Sequence, residues 1–160
     1  MKAYSTQNIR NVVLLGSTKS GKTTLSEAML YEGKVIDRRG TVEGKNTVSD
    51  NAEIEQINQR SVYATPLYAE FMDTKFNIID TPGADDFVGG AVSAFKVCDL
   101  GVLVVNAQQG VEVGTQIYAR YAKNYHIPLI VAVNQLDGEK ASWETTLESM
   151  KEAFGNKPVV

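Results

Sequence analysis

The stretch Gly16-Ser17-Thr18-Lys19-Ser20-Gly21-Lys22-Thr23 decides the reading of this chain. It fits G-x-x-x-x-G-K-[ST] at every fixed position and is followed by Thr24. Upstream, Asn11–Leu15 is a short apolar run of strand character; downstream, Leu25, Ala28 and Met29 recur at helical spacing. A glycine-rich turn between a strand and a helix lets successive backbone N–H groups face one anion, and the helix start adds its positive end. In this pattern Gly16 to Thr24 cradle phosphates, Lys22 reaches the β- and γ-phosphates, and the Thr23 hydroxyl coordinates magnesium.

Working outward, the next landmark is Asp80-Thr81-Pro82-Gly83. Ser61–Phe71 and Lys75–Asp80 read as two strands joined by a hairpin turn at Asp73-Thr74. Pro66 cannot donate to a ladder, which puts the first of these at a sheet edge. Asp80, at a strand end, is placed to hold magnesium through a water, and the Gly83 N–H to meet a γ-phosphate. Between the two landmarks, residues 33–60 show no clear period, the mark of a functional or mobile loop. Its stretch Glu53–Gln59 reads as a solvated segment.

Leu100–Val105 and Leu129–Val133 are near-continuous apolar runs, as expected of parallel strands covered on both faces. Phe87, Ala91 and Phe95 mark one helix, Val113, Ile117 and Tyr121 a second, and Trp143, Leu147, Met150 and Phe154 a third. Lys157-Pro158-Val159-Val160 reads as the start of another strand. Strands alternating with helices make an α/β fold of the P-loop NTPase type. The sheet is mostly parallel, with helices on both faces and one antiparallel edge strand. Ligands of such sheets lie beyond the carboxyl ends of the strands, where all the motifs fall.

Asn134-Gln135-Leu136-Asp137 follows the last apolar strand. A carboxylate at Asp137 accepts from both N1–H and the exocyclic amine of guanine, whereas adenine offers a lone pair at that edge. Asn134, Gln135 and Asp137 are therefore the expected guanine site, and GTP or GDP the expected ligand.

Composition agrees with one soluble domain: 160 residues, 43% hydrophobic and 22% charged. The formal charge of -3 gives no basic footprint for DNA. A single cysteine, Cys98, excludes an intrachain disulfide and reads as a small core residue. The early apolar run is too short for a signal segment or membrane span, which points to the cytosol. His126, the only histidine, precedes Ile127-Pro128 at a strand entrance and is expected to have a surface or packing role.

In order, G-x-x-x-x-G-K-T, D-T-P-G-x-x-D-F, Gly110-Val111-Glu112 and N-x-x-D resemble the translational GTPases, closest to elongation factor G. The resemblance runs from Ile9 to the end. It implies GTP and magnesium as ligands, the ribosome as partner and a cytoplasmic location. Residues 33–60 then correspond to switch I, and Ser61 to the family's magnesium-binding threonine. Residues 1–160 would form a partial G domain that ends before the last guanine-contacting motif.

Three positions depart from the family pattern. Ala84 stands where the family has the histidine that positions the attacking water, leaving no catalytic residue assigned. Loss of such a group costs about 10²–10⁴ in rate, and neighbouring Asp85 is expected to point elsewhere. Lys19 replaces an aspartate thought to help hold a monovalent cation; its ammonium either takes that region or is solvated. Gln135 replaces the lysine that stacks on the base, so weaker affinity with retained guanine choice is expected. The readings carried forward are a slow or silent GTP-binding translation factor, a ribosome-stimulated GTPase, a non-translational GTP switch and, remotely, a P-loop ATPase.

Overall fold

A computed structural model describes residues 3–155. Five strands form one sheet in the order β2-β3-β1-β4-β5. These are β1 (Ile9–Leu15), β2 (Thr65–Phe71), β3 (Thr74–Asp80), β4 (Leu100–Asn106) and β5 (Leu129–Asn134). The helices are α1 (Lys22–Glu32), α2 (Glu53–Asn58), α3 (Val88–Ala94), α4 (Val113–Asn124) and α5 (Trp143–Phe154). β1 pairs in parallel with β3 and β4, β4 with β5, and only β2 runs antiparallel. The α/β P-loop architecture, with one antiparallel edge strand, is as the sequence implies.

Pro66 lies in that edge strand, where a missing donor costs least. β2 begins at Thr65, later than the expected Ser61, because the backbone of Val62 and Tyr63 is bound by a side chain instead. Thr65, its first residue, pairs with Asp80, the last residue of β3. The hairpin turn is Met72-Asp73, one residue earlier than expected, with φ of 45° and 58°. Both values suit a two-residue turn that follows the strand twist.

Two apolar clusters flank the sheet. One gathers Val13, Leu15, Leu103, Val105, Phe95, Tyr118 and Ala122 on one face; the other gathers Val12, Leu14, Ala69 and Ile78. Cys98 is buried in the first, and burial pushes its thiol pKa up. Phe95 stacks on Tyr125 with ring centroids 5.7 Å apart.

Helix faces depart from the apolar pattern in two places. In α4 the buried residues are Gly114, Thr115, Tyr118 and Ala122, while Val113 is 70% exposed. In α1 they include Ser26 and Glu27. In both helices, polar side chains on the inner face serve the site described next. α5 buries Met150 as expected, together with Thr146, whose hydroxyl donates to the Ala107 carbonyl. His126 is exposed in a turn at φ 58°. The expected strand at Lys157–Val160 lies outside the described residues.

Candidate nucleotide site

Gly16 to Thr23 wrap from the end of β1 into α1. Gly16 (φ 138°), Lys19 (φ 63°) and Gly21 (φ 94°) take left-handed conformations that turn the loop inward. At Gly21 a side chain would overlap the Asn134 amide, so glycine is required there by both space and backbone. Lys22 is 5% exposed, and its Nζ donates to the Gly16 carbonyl at 2.8 Å and the Ser17 carbonyl at 2.9 Å. Burial lowers its pKa to about 8, with the Asp80, Asp50 and Glu112 charges opposing the fall. An ammonium held by neutral oxygens, the third being the Ser20 hydroxyl at 3.4 Å, and depressed by burial, is poised to meet an anion.

Gly83 lies against this loop. A Cβ there would come within 2.5 Å of Lys22 Nζ and 2.7 Å of the Thr18 nitrogen. Just upstream, the Thr81 hydroxyl donates to the Leu14 carbonyl at 2.6 Å, and Tyr118 donates to the Pro82 carbonyl at 2.9 Å. The segment is thus fastened to β1 and α4, with residues 83 and 84 next to the cradle. Asp85 sits on the α4 side; a Cβ on Gly114 would come within 3.3 Å of its Oδ1.

A cavity of about 720 Å³ lies over the loop, within the usual range for a small-molecule site. Its walls include Thr18, Lys19, Gly21–Thr24, Gly83, Ala84 and Gln135, with Asp50, Ser61 and Glu112 around them. Lys19 and Thr24 are exposed at it, while Ser17 and Ser20 are buried behind. The base motif sits at one end. Asn134 donates to the Ser20 carbonyl at 3.0 Å, and Gln135 to the Lys19 carbonyl at 2.9 Å. Asp137 is exposed in the turn after β5 and is not one of the cavity walls.

The expected metal ligands do come together. The hydroxyls of Thr23 and Ser61 lie 3.1 Å apart, although 38 residues separate them. Asp80 is fully buried, with Oδ1 lacking a hydrogen-bond partner, and desolvation raises its pKa. Asp50, which the sequence reading missed, stands beside them. It is 4% exposed, neither carboxylate oxygen has a partner, and burial foremost raises its pKa to about 6. The Asp80 charge adds to that rise, and the Ser61 hydroxyl opposes it. Of the four carboxylate oxygens only Asp80 Oδ2 has a donor, the Ser26 hydroxyl at 3.5 Å, and such buried acceptors beside two hydroxyls fit a hard divalent cation such as magnesium. Among the described residues no group of three acidic, histidine or cysteine side chains is placed to hold a metal ion by itself. Such an ion would take its remaining oxygens from phosphate and water.

The run Glu53–Gln59 is largely exposed, as expected, with Glu55 as its one buried member. Glu55 is 1% exposed and accepts from the N–H groups of Ala52, Val62 and Tyr63 at 3.1, 2.9 and 3.0 Å. From α1, Glu27 reaches an earlier part of switch I, accepting from the Gly40 N–H at 2.8 Å and the Val48 N–H at 2.5 Å. Glu55 binds Ala52 locally at the start of α2, but its other two partners, and both partners of Glu27, lie 7 to 21 residues away, where no local spacing marks them.

This fold and loop define a P-loop nucleotide-binding domain with a buried acidic corner beside the loop. The chain belongs to the family of the elongation factor Tu GTP binding domain, whose model matches residues 7–159. Within it the likeness is to elongation factor G-like translational GTPases. An elongation factor G-like protein of Mycobacterium tuberculosis is 36% identical over 149 residues, 93% of this chain and 21% of that protein. One from Thermotoga maritima is 36% identical over 156 residues, 96% of this chain and 22% of the relative. The oxytetracycline resistance protein of Streptomyces rimosus is 36% identical over 147 residues, 91% of this chain and 22% of that protein. A crystal structure from Thermus thermophilus superposes with a TM-score of 0.88 at 33% identity, covering 92% of this chain and 22% of that one. The chain thus spans about a fifth of the length of these relatives.

Proposed function

We propose that this chain is the GTP- and magnesium-binding switch of an elongation factor G-like protein acting on cytoplasmic ribosomes, with slow or absent GTP hydrolysis. The observation that carries the last clause is Ala84. It follows Gly83, which the cradle holds at contact distance, and it lines the cavity with a methyl group. A methyl neither orients nor polarises water.

Gly16–Thr24 and Gly83 would hold the phosphates, and Asn134, Gln135 and Asp137 the guanine. Thr23 and Ser61 would ligate magnesium, with Asp80 and Asp50 acting on it directly or through water. The ion's contribution is to neutralise the β,γ-oxygens. The chain's own contribution is conformational: with the nucleotide in place, Ser61 and Gly83 are drawn to one point, which orders both switch segments. Occupancy rather than turnover would then favour ribosome binding.

A second reading is supported by a cavity of about 560 Å³ on the other side of Ala84, lined by Asp85, Glu112 and Gln116 among others. A partner could insert a water-positioning group there, giving a ribosome-stimulated GTPase. Single-turnover GTP hydrolysis by the full-length protein, with and without ribosomes, decides between them. A slow rate in both conditions, accelerated about 10²-fold or more by Ala84→His, supports the silent switch. A fast ribosome-stimulated rate with Ala84 in place overturns it. Failure to co-sediment with ribosomes in a non-hydrolysable GTP analogue would instead leave a GTP switch outside translation.

A further inference from the structure

Gln135 is more than a shortened substitute for lysine. Its carboxamide is the middle link of a directed chain of three hydrogen bonds. The Gln108 N–H donates to Asn106 Oδ1 at 2.8 Å, Asn106 Nδ2 donates to Gln135 Oε1 at 2.8 Å, and Gln135 Nε2 donates to the Lys19 carbonyl at 2.9 Å. Both ends are backbone groups of fixed polarity, a donor at one and an acceptor at the other, so neither amide can flip without breaking two bonds. Asn106 itself is 9% exposed and sits on the same rung as Asn134, the last residue of β5.

From this geometry we infer that Asn106 is a positioning residue for the guanine base, and that Asn106 and Gln135 form a matched neutral pair. The inference rests on the nucleotide reading above. A free glutamine stem loses rotamer freedom when a purine packs on it. Here the stem is held at the cavity wall beforehand, so the nucleotide meets a prearranged surface. The pairing also fixes which residue 135 can be. A lysine ammonium is donor-only and would face the Asn106 NH₂, which is also a donor. An aspartate at 106 would set an acceptor against Gln135 Oε1. Both changes together place an ammonium against a carboxylate and restore the link in charged form.

The test is a cycle of Asn106→Asp, Gln135→Lys and the double variant in the full chain, titrated separately with GDP and with inorganic tripolyphosphate. Each single change is expected to weaken GDP by about tenfold, and the double to return within about threefold of the starting protein. Tripolyphosphate, which has no base, should move less than about twofold throughout, because Asn134 still holds the Ser20 carbonyl of the loop. Gln135→Met keeps an unbranched stem without the amide and lies in a surface turn. It should reproduce the loss of GDP affinity even where a change at the buried Asn106 impairs folding. Losses that simply add in the double variant, unchanged GDP affinity in Gln135→Met, or tripolyphosphate weakening in step with GDP would each overturn the inference. A starting protein that binds tripolyphosphate but no guanine nucleotide overturns the functional reading itself, and this pair with it.

Discussion

The phosphate cradle and switch I face each other across one cavity, yet they are held in opposite ways. The cradle is a short loop whose shape is local: left-handed turns at Gly16, Lys19 and Gly21, and a lysine folded back onto its own carbonyls. Switch I is a long segment with one short helix, held by two buried carboxylates, one from α1 and one of its own. Glu27 on α1 binds Gly40 and Val48, and Glu55 gathers Ala52, Val62 and Tyr63. A locally determined loop should be stiff and preformed. A loop gathered by a few charge-assisted bonds should come away in a few cooperative steps.

The largest effect should come from breaking the cradle. Gly21→Ala sets a Cβ onto the Asn134 amide in a left-handed conformation, joining steric overlap to backbone strain. GDP affinity by calorimetry should fall by about 10²-fold or more. A fall under about threefold would mean that the cradle adapts, and the contrast with switch I would lose its basis.

Glu55→Ala tests the other side. It strips three backbone donors of their shared acceptor, and the region 52–63 should loosen while the cradle stays intact. Hydrogen exchange at Val62 and Tyr63 should accelerate by about 10²-fold, about 3 kcal/mol of local stability, with Leu14 and Leu15 unchanged. Equal acceleration in β1 would show that the two regions form one cooperative unit.

The smallest effect belongs to Tyr118→Phe, which removes the hydroxyl that holds the Pro82 carbonyl. A cost of about 1 kcal/mol in denaturant unfolding at neutral pH is expected. The same hydroxyl has a pH signature. Burial raises its pKa to about 12, from 10.0, so the folded state keeps a proton that the unfolded state loses. Its contribution is complete below about pH 10 and is lost as pH rises from there towards 12. Tyr118→Phe should flatten the alkaline loss of stability in that window; an unchanged slope would assign it to other groups.

The same contrast explains what was legible in the sequence. The sheet, its order of elements and the phosphate loop were readable because buried parallel strands and the G-x-x-x-x-G-K-T turn are set by near neighbours. Ser61 was readable through the family resemblance, and its hydroxyl does stand 3.1 Å from that of Thr23. Glu27 and Glu55 escaped because buried carboxylates acting on distant backbone leave no periodic trace, and Asp50 because its neighbours Ser61 and Asp80 are far away in the chain. The expected helix faces held at Ala91, Phe95 and Met150 and failed at α4 for a related reason. Where α4 meets the cradle its inner face carries Thr115, hydrogen-bonded to Ser17 at 3.2 Å, so an apolar stripe pointed to the wrong side. Asn106 was invisible for the same cause: its partner Gln135 lies 29 residues away.

One rung of the β2–β3 ladder carries a last consequence. Thr65 is where the chain leaves switch I, Asp80 is where it enters the Pro82-Gly83 turn, and the two are directly paired. The Thr65 hydroxyl also donates to the Ser49 carbonyl, beside Asp50. The two edges of the cavity therefore grow from a single anchored point. News of an empty or filled site would leave the domain through the β2–β3 hairpin as a single message, because neither edge can swing without loading the other's root.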